Sequence, residues 1–202
     1  MHLYDYLDSG NGYEVRLLLA QLGQKYRWTE VDIDSGQTRT PEFLKRNPNG
    51  RIPTLELDDG TNLPESNAIL WYLAEGSRFV PATPVGRAQV LQWMFFEQYS
   101  HEPFVATPRY ICRHLPADHP RRAELPERLA KGRAAFAVME QHLATRQFFV
   151  NERYSIADIA LYAYSHVAGD GGHELGAFPK VREWIGRVAA QPGHVPLLAR
   201  PG

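Results

Sequence analysis

Residues 47–75 read NPNGRIPTLELDDGTNLPESNAILWYLAE. Three devices follow one another in this stretch: a proline inside a strand, a tight hairpin turn and an acidic-polar helix start at Glu65-Ser66-Asn67. Ile52–Leu57 predicts a strand, Asp59-Gly60 a tight hairpin turn, and Thr61–Leu63 the returning strand. Glu65–Glu75 predicts a helix, with Ala68, Ile69, Tyr72 and Leu73 at helical spacing. Pro53 is the irregular feature. It has no N–H to give a sheet and is disfavoured in a strand interior. A cis Ile52–Pro53 bond resolves this by turning the backbone N–H and C=O of Ile52 outward. A trans proline at a strand start resolves it equally well.

Upstream, His2–Tyr6 alternates as a short strand and Leu7–Gly12 is a polar, glycine-bearing loop. Tyr13–Leu22 predicts a largely buried helix stopped by Gly23. Tyr26–Ile33 reads as a second strand. Thr40-Pro41 opens a second helix, Thr40 as N-cap and Pro41 at the first helical position. The predicted order to residue 75 is β-α-β-α-β-β-α. Downstream the grammar changes. Residues 79–85 carry Pro81 and Pro84 and read as a linker. After them come only helices: Gly86–His101, Phe104–His114 after a break at Pro103, Arg121–Leu143, a helix capped at Ser155 with Asp158 closing a capping box, and Phe178–Ala190. The tail from Pro192 reads as irregular. The expected division is an α/β domain over 1–78, a linker over 79–85 and an all-helical domain over 86–202.

The bulk numbers exclude several classes. The 202 residues suffice for two small domains with real cores. A net charge of −1 gives no reason to expect nucleic acid or an anionic membrane as partner. No apolar run approaches the roughly 20 residues of a membrane-spanning helix. The start, MHLYDYLDSG, has no signal-peptide pattern. One cysteine, Cys112, rules out an internal disulfide or a Cys-x-x-Cys pair, and reads as a small buried residue in a cytoplasmic protein. The eight histidines show no metal-ligand spacing, so no metal is expected.

Two further places carry chemistry. Glu65-Ser66 opens a helix, where free amides and the helix dipole favour a carboxylate. Ser66 offers an N–H and a hydroxyl, and Glu65 can hold an ammonium, so an α-amino-acid end would satisfy both. Ordinary capping of the helix is the alternative. Ser9-Gly10-Asn11-Gly12 stands between the first strand and first helix, where hydroxyl and amide donors can stabilise a thiolate. Since no cysteine is there, the thiol would come from a ligand. The alternative is a turn with Ser9 or Asn11 as N-cap.

In this order and spacing the motifs resemble the cytosolic glutathione transferase superfamily, over essentially the whole chain. NPNGRIPTLELDDG and LPESNAILWYLAE are similar to its glutathione-binding signature. SIADIALYAYSHV resembles the capped core helix of its second domain. The resemblance implies a thioredoxin-like first domain, an all-α second domain, a homodimer and glutathione as substrate or cofactor. It implies that Pro53 is the family's cis-proline and that Ile52 pairs its backbone with the cysteinyl part. It implies that Glu65 and Ser66 hold the γ-glutamyl end, with Gln37 and Arg51 near the glycyl end.

Families differ in the group that activates the thiol. Tyr4 and Tyr6 lie on the first strand but miss the spacing of the tyrosine type. Ser9–Gly12 resembles the Thr/Ser-x-Asn-Gly loop of bacterial nu-like transferases, which have disulfide-bond reductase and peroxidase activity. On this resemblance Ser9 and Asn11 donate to the sulfur, Asn11 electrostatically rather than as a base. Tyr99, Phe104, Arg109 and Tyr110 fall where the family lines its second-substrate pocket. The expected function is attack by glutathione thiolate on a small electrophile or disulfide. The alternatives are a glutathione-dependent isomerase or dehalogenase, or a non-catalytic module like those attached to translation factors or RNA polymerase. Retention by immobilised glutathione separates enzyme from module.

Overall fold

The structure is a computed structural model that describes residues 1–201. The chain divides into two units, one of residues 1–75 together with the chain end from Pro192, the other of residues 76–191.

The first unit holds a four-stranded sheet of β1 (His2–Asp5), β2 (Arg27–Glu30), β3 (Thr54–Glu56) and β4 (Asn62–Pro64), in the order β2-β1-β3-β4. β1 runs parallel to β2 and antiparallel to β3, and β3 antiparallel to β4. Three helices join them: α1 (Gly10–Leu22), α2 (Pro41–Arg46) and α3 (Ser66–Ala74). This is the predicted element order and a thioredoxin-like arrangement. One core packs Leu3 and Leu55 from the sheet against Val15, Leu19 and Ile69 from α1 and α3, all fully buried.

The strands are shorter than the alternation suggests. β3 starts only at Thr54, because Pro53 cannot donate to a ladder. The hairpin turns at Gly60, whose φ of 87° suits glycine, and closes with Leu57 N–H donating to the Thr61 carbonyl at 2.8 Å. α1 starts at Gly10 rather than Tyr13. Ser9 caps it, its hydroxyl oxygen accepting from Gly12 N–H at 3.3 Å, and this outweighs the poor helix propensity of two glycines. Thr40 caps α2 as expected, accepting from Phe43 N–H.

The second unit is helical: α4 (Pro84–Phe96), α5 (Glu102–His114), α6 (Leu125–Leu143), α7 (Ile156–Ser165) and α8 (Pro179–Ala189). The expected break at Pro103 is absent. A π-helical turn, Glu97–His101, carries α4 into α5. Pro103 is the second residue of α5, and the π turn just before it is where the helix accommodates a residue with no N–H. The expected helix start at Arg121 is a 3-10 turn, Pro120–Glu124, before α6. The capping box forms as predicted. The Asp158 carboxylate, fully buried, accepts from Ser155 N–H at 2.9 Å and the Ser155 hydroxyl at 3.0 Å. It also accepts from Phe149 N–H at 3.2 Å and Trp184 Nε1–H at 3.0 Å, so one side chain joins a connector, α7 and α8. Burial pushes this carboxyl up to about 6, the four donors opposing the shift.

The tail is irregular, but residues 192–201 group with the first unit and not with the helices before them. The cause is polar. Tyr13 donates its hydroxyl to the Val195 carbonyl at 2.7 Å, and Arg16 Nη1 donates to the Leu197 carbonyl at 2.7 Å. Gly202, the last residue of the expected helical domain, lies outside the described residues.

Candidate functional site

Sheet register gathers the predicted thiol-site residues. Tyr4 pairs with Thr54 and Thr54 with Pro64. The end of β1, the start of β3 and the end of β4 therefore coincide. Asp5 pairs with Glu30, so β2 also ends there. Ser9 and Asn11 leave β1 at this edge, Ile52 and Pro53 enter β3, and Glu65 and Ser66 leave β4. Gln37 and Arg51 stand on the segments that follow β2 and precede β3.

The Ile52–Pro53 bond is cis, the first of the two readings open from sequence. No backbone hydrogen bond among the described residues engages the N–H or C=O of Ile52, so both remain available to an extended ligand. Glu65 is the N-cap of α3 at φ 68°, an uncommon conformation for a non-glycine residue, and its side chain does not cap the helix. Ser66 is buried, and its hydroxyl makes no hydrogen bond among the described residues. Ordinary capping is therefore not what these two side chains do, and the helix start stays open to an anion. Arg51 is exposed, with no ion pair among the described residues. Gln37 is engaged locally, its Oε1 accepting from Asp32 N–H at 2.9 Å.

Ser9 both caps and remains chemically open. Its oxygen accepts from Gly12 while its hydroxyl proton is still to be donated. The first turn of α1 beside it adds partial positive charge. The strand tyrosines are otherwise committed. Tyr4 donates its hydroxyl to Glu56 at 3.1 Å with the Arg46 guanidinium 4.6 Å over its ring, and Tyr6 donates to Asp34 at 3.4 Å. Burial pushes both phenols above their ordinary pKa.

Beneath this loop lies a support that motif reading passed over. Asp5 is fully buried and accepts from Arg16 Nε–H at 2.8 Å, with Arg16 2% exposed. Asp5 also accepts from Tyr6 N–H at 2.6 Å. Arg16 donates onward to the carbonyl of Leu7 at 2.6 Å and to those of Leu197 and Ala199. Burial raises the Asp5 carboxyl to about 6 and Arg16 opposes that rise. A side chain on Gly12 would place its Cβ 1.5 Å from Asp5 Oδ1, so Gly12 is required by the carboxylate packed against it. The signal was present in the sequence. Arg16 interrupts the apolar run Val15–Leu19, and a buried arginine demands a partner.

The four residues expected in a second pocket belong to the helical unit and differ from one another. Tyr99, in the π turn, is 85% exposed. Phe104 lies under Lys131, whose Nζ is 5.2 Å from the ring centre. Tyr110 stacks on His114 with ring centres 5.0 Å apart. Arg109 is 5% exposed and donates to Asp170 at 3.1 Å, so its charge is held inside the unit. Cys112 is half-buried. No group of three or more metal-ligating side chains occurs among the described residues. No helix among them is long and apolar enough to cross a membrane.

Comparison with known proteins fits this geometry. The model of the glutathione S-transferase N-terminal domain matches residues 1–75, and that of the C-terminal domain matches residues 93–192. A solved glutathione S-transferase from Pseudomonas fluorescens is 51% identical, with 98% of each chain covered and a TM-score of 0.94. A Burkholderia graminis glutathione transferase, solved with two glutathione molecules bound per subunit, is 27% identical with a TM-score of 0.82, covering 95% of this chain and 84% of that one. Among curated relatives, maleylacetoacetate isomerase of Rhizobium meliloti is 33% identical over 98% of this chain and 97% of its own. The disulfide-bond oxidoreductase YfcG of Escherichia coli is 30% identical over 95% and 93%. Elongation factor 1-gamma of Equus caballus is 30% identical over 94% of this chain, which spans 44% of that protein.

Proposed function

Because this chain belongs to the cytosolic glutathione transferase superfamily, we propose that it binds glutathione at the sheet edge and uses its thiolate as a nucleophile. The observation that carries the reading is the open start of α3. There Glu65 leaves its own helix uncapped beside the buried Ser66 hydroxyl, at the strand end shared with Ile52. The γ-glutamyl carboxylate meets the α3 N-terminus and Ser66, and its ammonium meets Glu65. The cysteinyl backbone pairs with Ile52, and Arg51 meets the glycyl carboxylate. Gln37 contributes position more than charge, since its amide oxygen is already engaged. The sulfur lies against Ser9 and Asn11, whose donors stabilise S⁻ and lower the thiol pKa. Neither residue takes the proton as a base. It leaves to solvent.

The thiolate then attacks an electrophilic carbon to give a thioether, expelling a leaving group such as halide as its anion or, on an activated double bond, leaving a carbanion that takes a proton from solvent. With a small disulfide it attacks one sulfur and expels the other as a thiolate, and a second glutathione resolves the mixed disulfide to oxidised glutathione. Similarity to a disulfide-bond oxidoreductase supports the second course, and similarity to maleylacetoacetate isomerase supports a glutathione-dependent isomerisation. Peroxidase and dehalogenase chemistry start from the same thiolate. The acceptor meets Tyr99, Phe104 and Tyr110, with Arg109 positioning α5 through Asp170. In this reading the protein is a cytoplasmic homodimer. The rival reading, a non-catalytic module, is favoured by the similarity to elongation factor 1-gamma.

The test is retention on immobilised glutathione, then turnover with glutathione against an aryl halide, a small disulfide and an organic peroxide. Retention with turnover of any one supports the enzyme. A folded protein that is not retained supports the module.

A further inference from the structure

A cavity lies wholly within the helical unit, apart from every residue assigned to glutathione or its acceptor. It has a volume of about 450 Å³ and is lined by Arg78, Val80, Pro81, Asn151, Arg153 and Tyr154, with the start of α4 beside it. That volume is in the range of small-molecule sites. Its charge is one-sided. Two arginines line it and no acidic residue does. Neither arginine side chain makes an ion pair or hydrogen bond among the described residues. The nearest acid in sequence, Glu152, is turned to the end of α6, where it accepts from Gln147 N–H at 2.8 Å and meets Arg146 at 4.0 Å.

The walls are held in place. The Arg78 guanidinium rests 4.8 Å from the ring centre of Phe79, which is buried and edge-on to Tyr154. Ile156 N–H donates to the Phe79 carbonyl at 3.1 Å, and Arg153 N–H to that of Val150 at 3.0 Å. A Cβ on Gly86 would lie 2.7 Å from Asn151 Nδ2 and 2.9 Å from Thr83 Oγ1, so the 151 loop is clamped on the first turn of α4. The α4 N-terminus itself adds little. Pro84 has no N–H, and Gly86 N–H is already held by Thr83 at 3.1 Å. Recognition therefore falls on the two arginines, whose planar forks suit phosphate oxygens. Val80, Pro81 and the Tyr154 ring form an apolar wall beside them.

We infer that this cavity binds a small phosphate monoester, its dianion between Arg78 and Arg153 and its apolar body against Val80, Pro81 and Tyr154. The test is calorimetric titration of the full chain with phenyl phosphate, and with inorganic phosphate, for the parent, Arg153→Gln, Arg78→Gln and the double variant. Phenyl phosphate should bind the parent more tightly than inorganic phosphate does. Each single variant should weaken it at least about fivefold and the double variant should abolish it, with Tm and glutathione affinity unchanged. No binding of phenyl phosphate at millimolar concentration, or equal affinity in the double variant, overturns the site. Equal affinity for inorganic phosphate overturns the assignment of the apolar wall.

Discussion

Replacing Gly12 by Ala is the most informative single change at the thiol site. The new Cβ would stand 1.5 Å from Asp5 Oδ1 and 2.1 Å from Asp5 Cγ. Ordinary carbon contacts begin near 3.5 Å, so something must move by roughly 2 Å. Two movements relieve the overlap. In one, the Asp5 carboxylate swings off Arg16 and leaves a fully buried guanidinium without its counter-charge, which costs about 3–5 kcal/mol. In the other, the first turn of α1 lifts away from the sheet and carries Ser9 and Asn11 with it. Overpacking of that kind costs about 1–3 kcal/mol in stability, and a 1 Å misplacement of a reacting group can cost about 10²-fold in rate. Thermal unfolding and steady-state kinetics separate the two. The first movement lowers Tm by roughly 10 °C, at about 2–4 °C per kcal/mol for a chain of this size. The second leaves Tm nearer the parent and lowers kcat by about 10²-fold. A Gly12→Ala variant within about 1 °C of the parent and with unchanged kcat would refute the packing of Asp5 against the loop.

Other changes read other links. Asp158→Ala removes the acceptor of four buried donors, and at about 1–3 kcal/mol for each backbone or indole N–H left unsatisfied it should lower Tm by at least about 6 °C without moving the glutathione KM; a shift under about 2 °C would contradict the network. The Asp158 carboxyl is raised in the folded state to about 6, so it contributes stability that is full below about pH 4 and lost as pH rises through about 6. Asp158→Asn should therefore flatten the fall in stability over that window, as measured by denaturant melts at several pH values, and an unchanged slope would exclude Asp158 as its source. Glu65→Gln should raise the glutathione KM by about tenfold with kcat nearly unchanged, since an ammonium contact is uniform binding; a loss confined to kcat would remove Glu65 from the γ-glutamyl contact.

Much of this molecule was legible in the sequence because the informative residues act locally. Asp59-Gly60 set a hairpin, Thr40-Pro41 a helix start and Ser155 with Asp158 a capping box, each within a few residues. The edge that gathers Ser9, Ile52 and Glu65 follows from the element order once the register of β1, β3 and β4 is known. What stayed hidden depends on contacts far along the chain. Arg16 meets the carbonyl of Leu197, 181 positions away, and this draws the tail to the first unit. No local pattern shows that pairing. The π turn at Glu97–His101 was equally unreadable, since one added residue per turn leaves the apolar spacing of its neighbours intact. Arg109, placed in a pocket by resemblance, is ion-paired to Asp170, a partner that spacing alone could not name.

The central claim is that the Ser9–Asn11 loop holds the sulfur of glutathione as a thiolate. The direct measurement is a pH titration of the thiolate ultraviolet absorbance of bound glutathione, for the parent and for Asn11→Ala. The account predicts a thiol pKa in the parent at least about one unit below the roughly 8.5 of a free cysteine thiol, returning most of the way in the variant while glutathione still binds. A parent that binds glutathione with its thiol pKa unshifted, or a variant whose pKa equals the parent's, would contradict it.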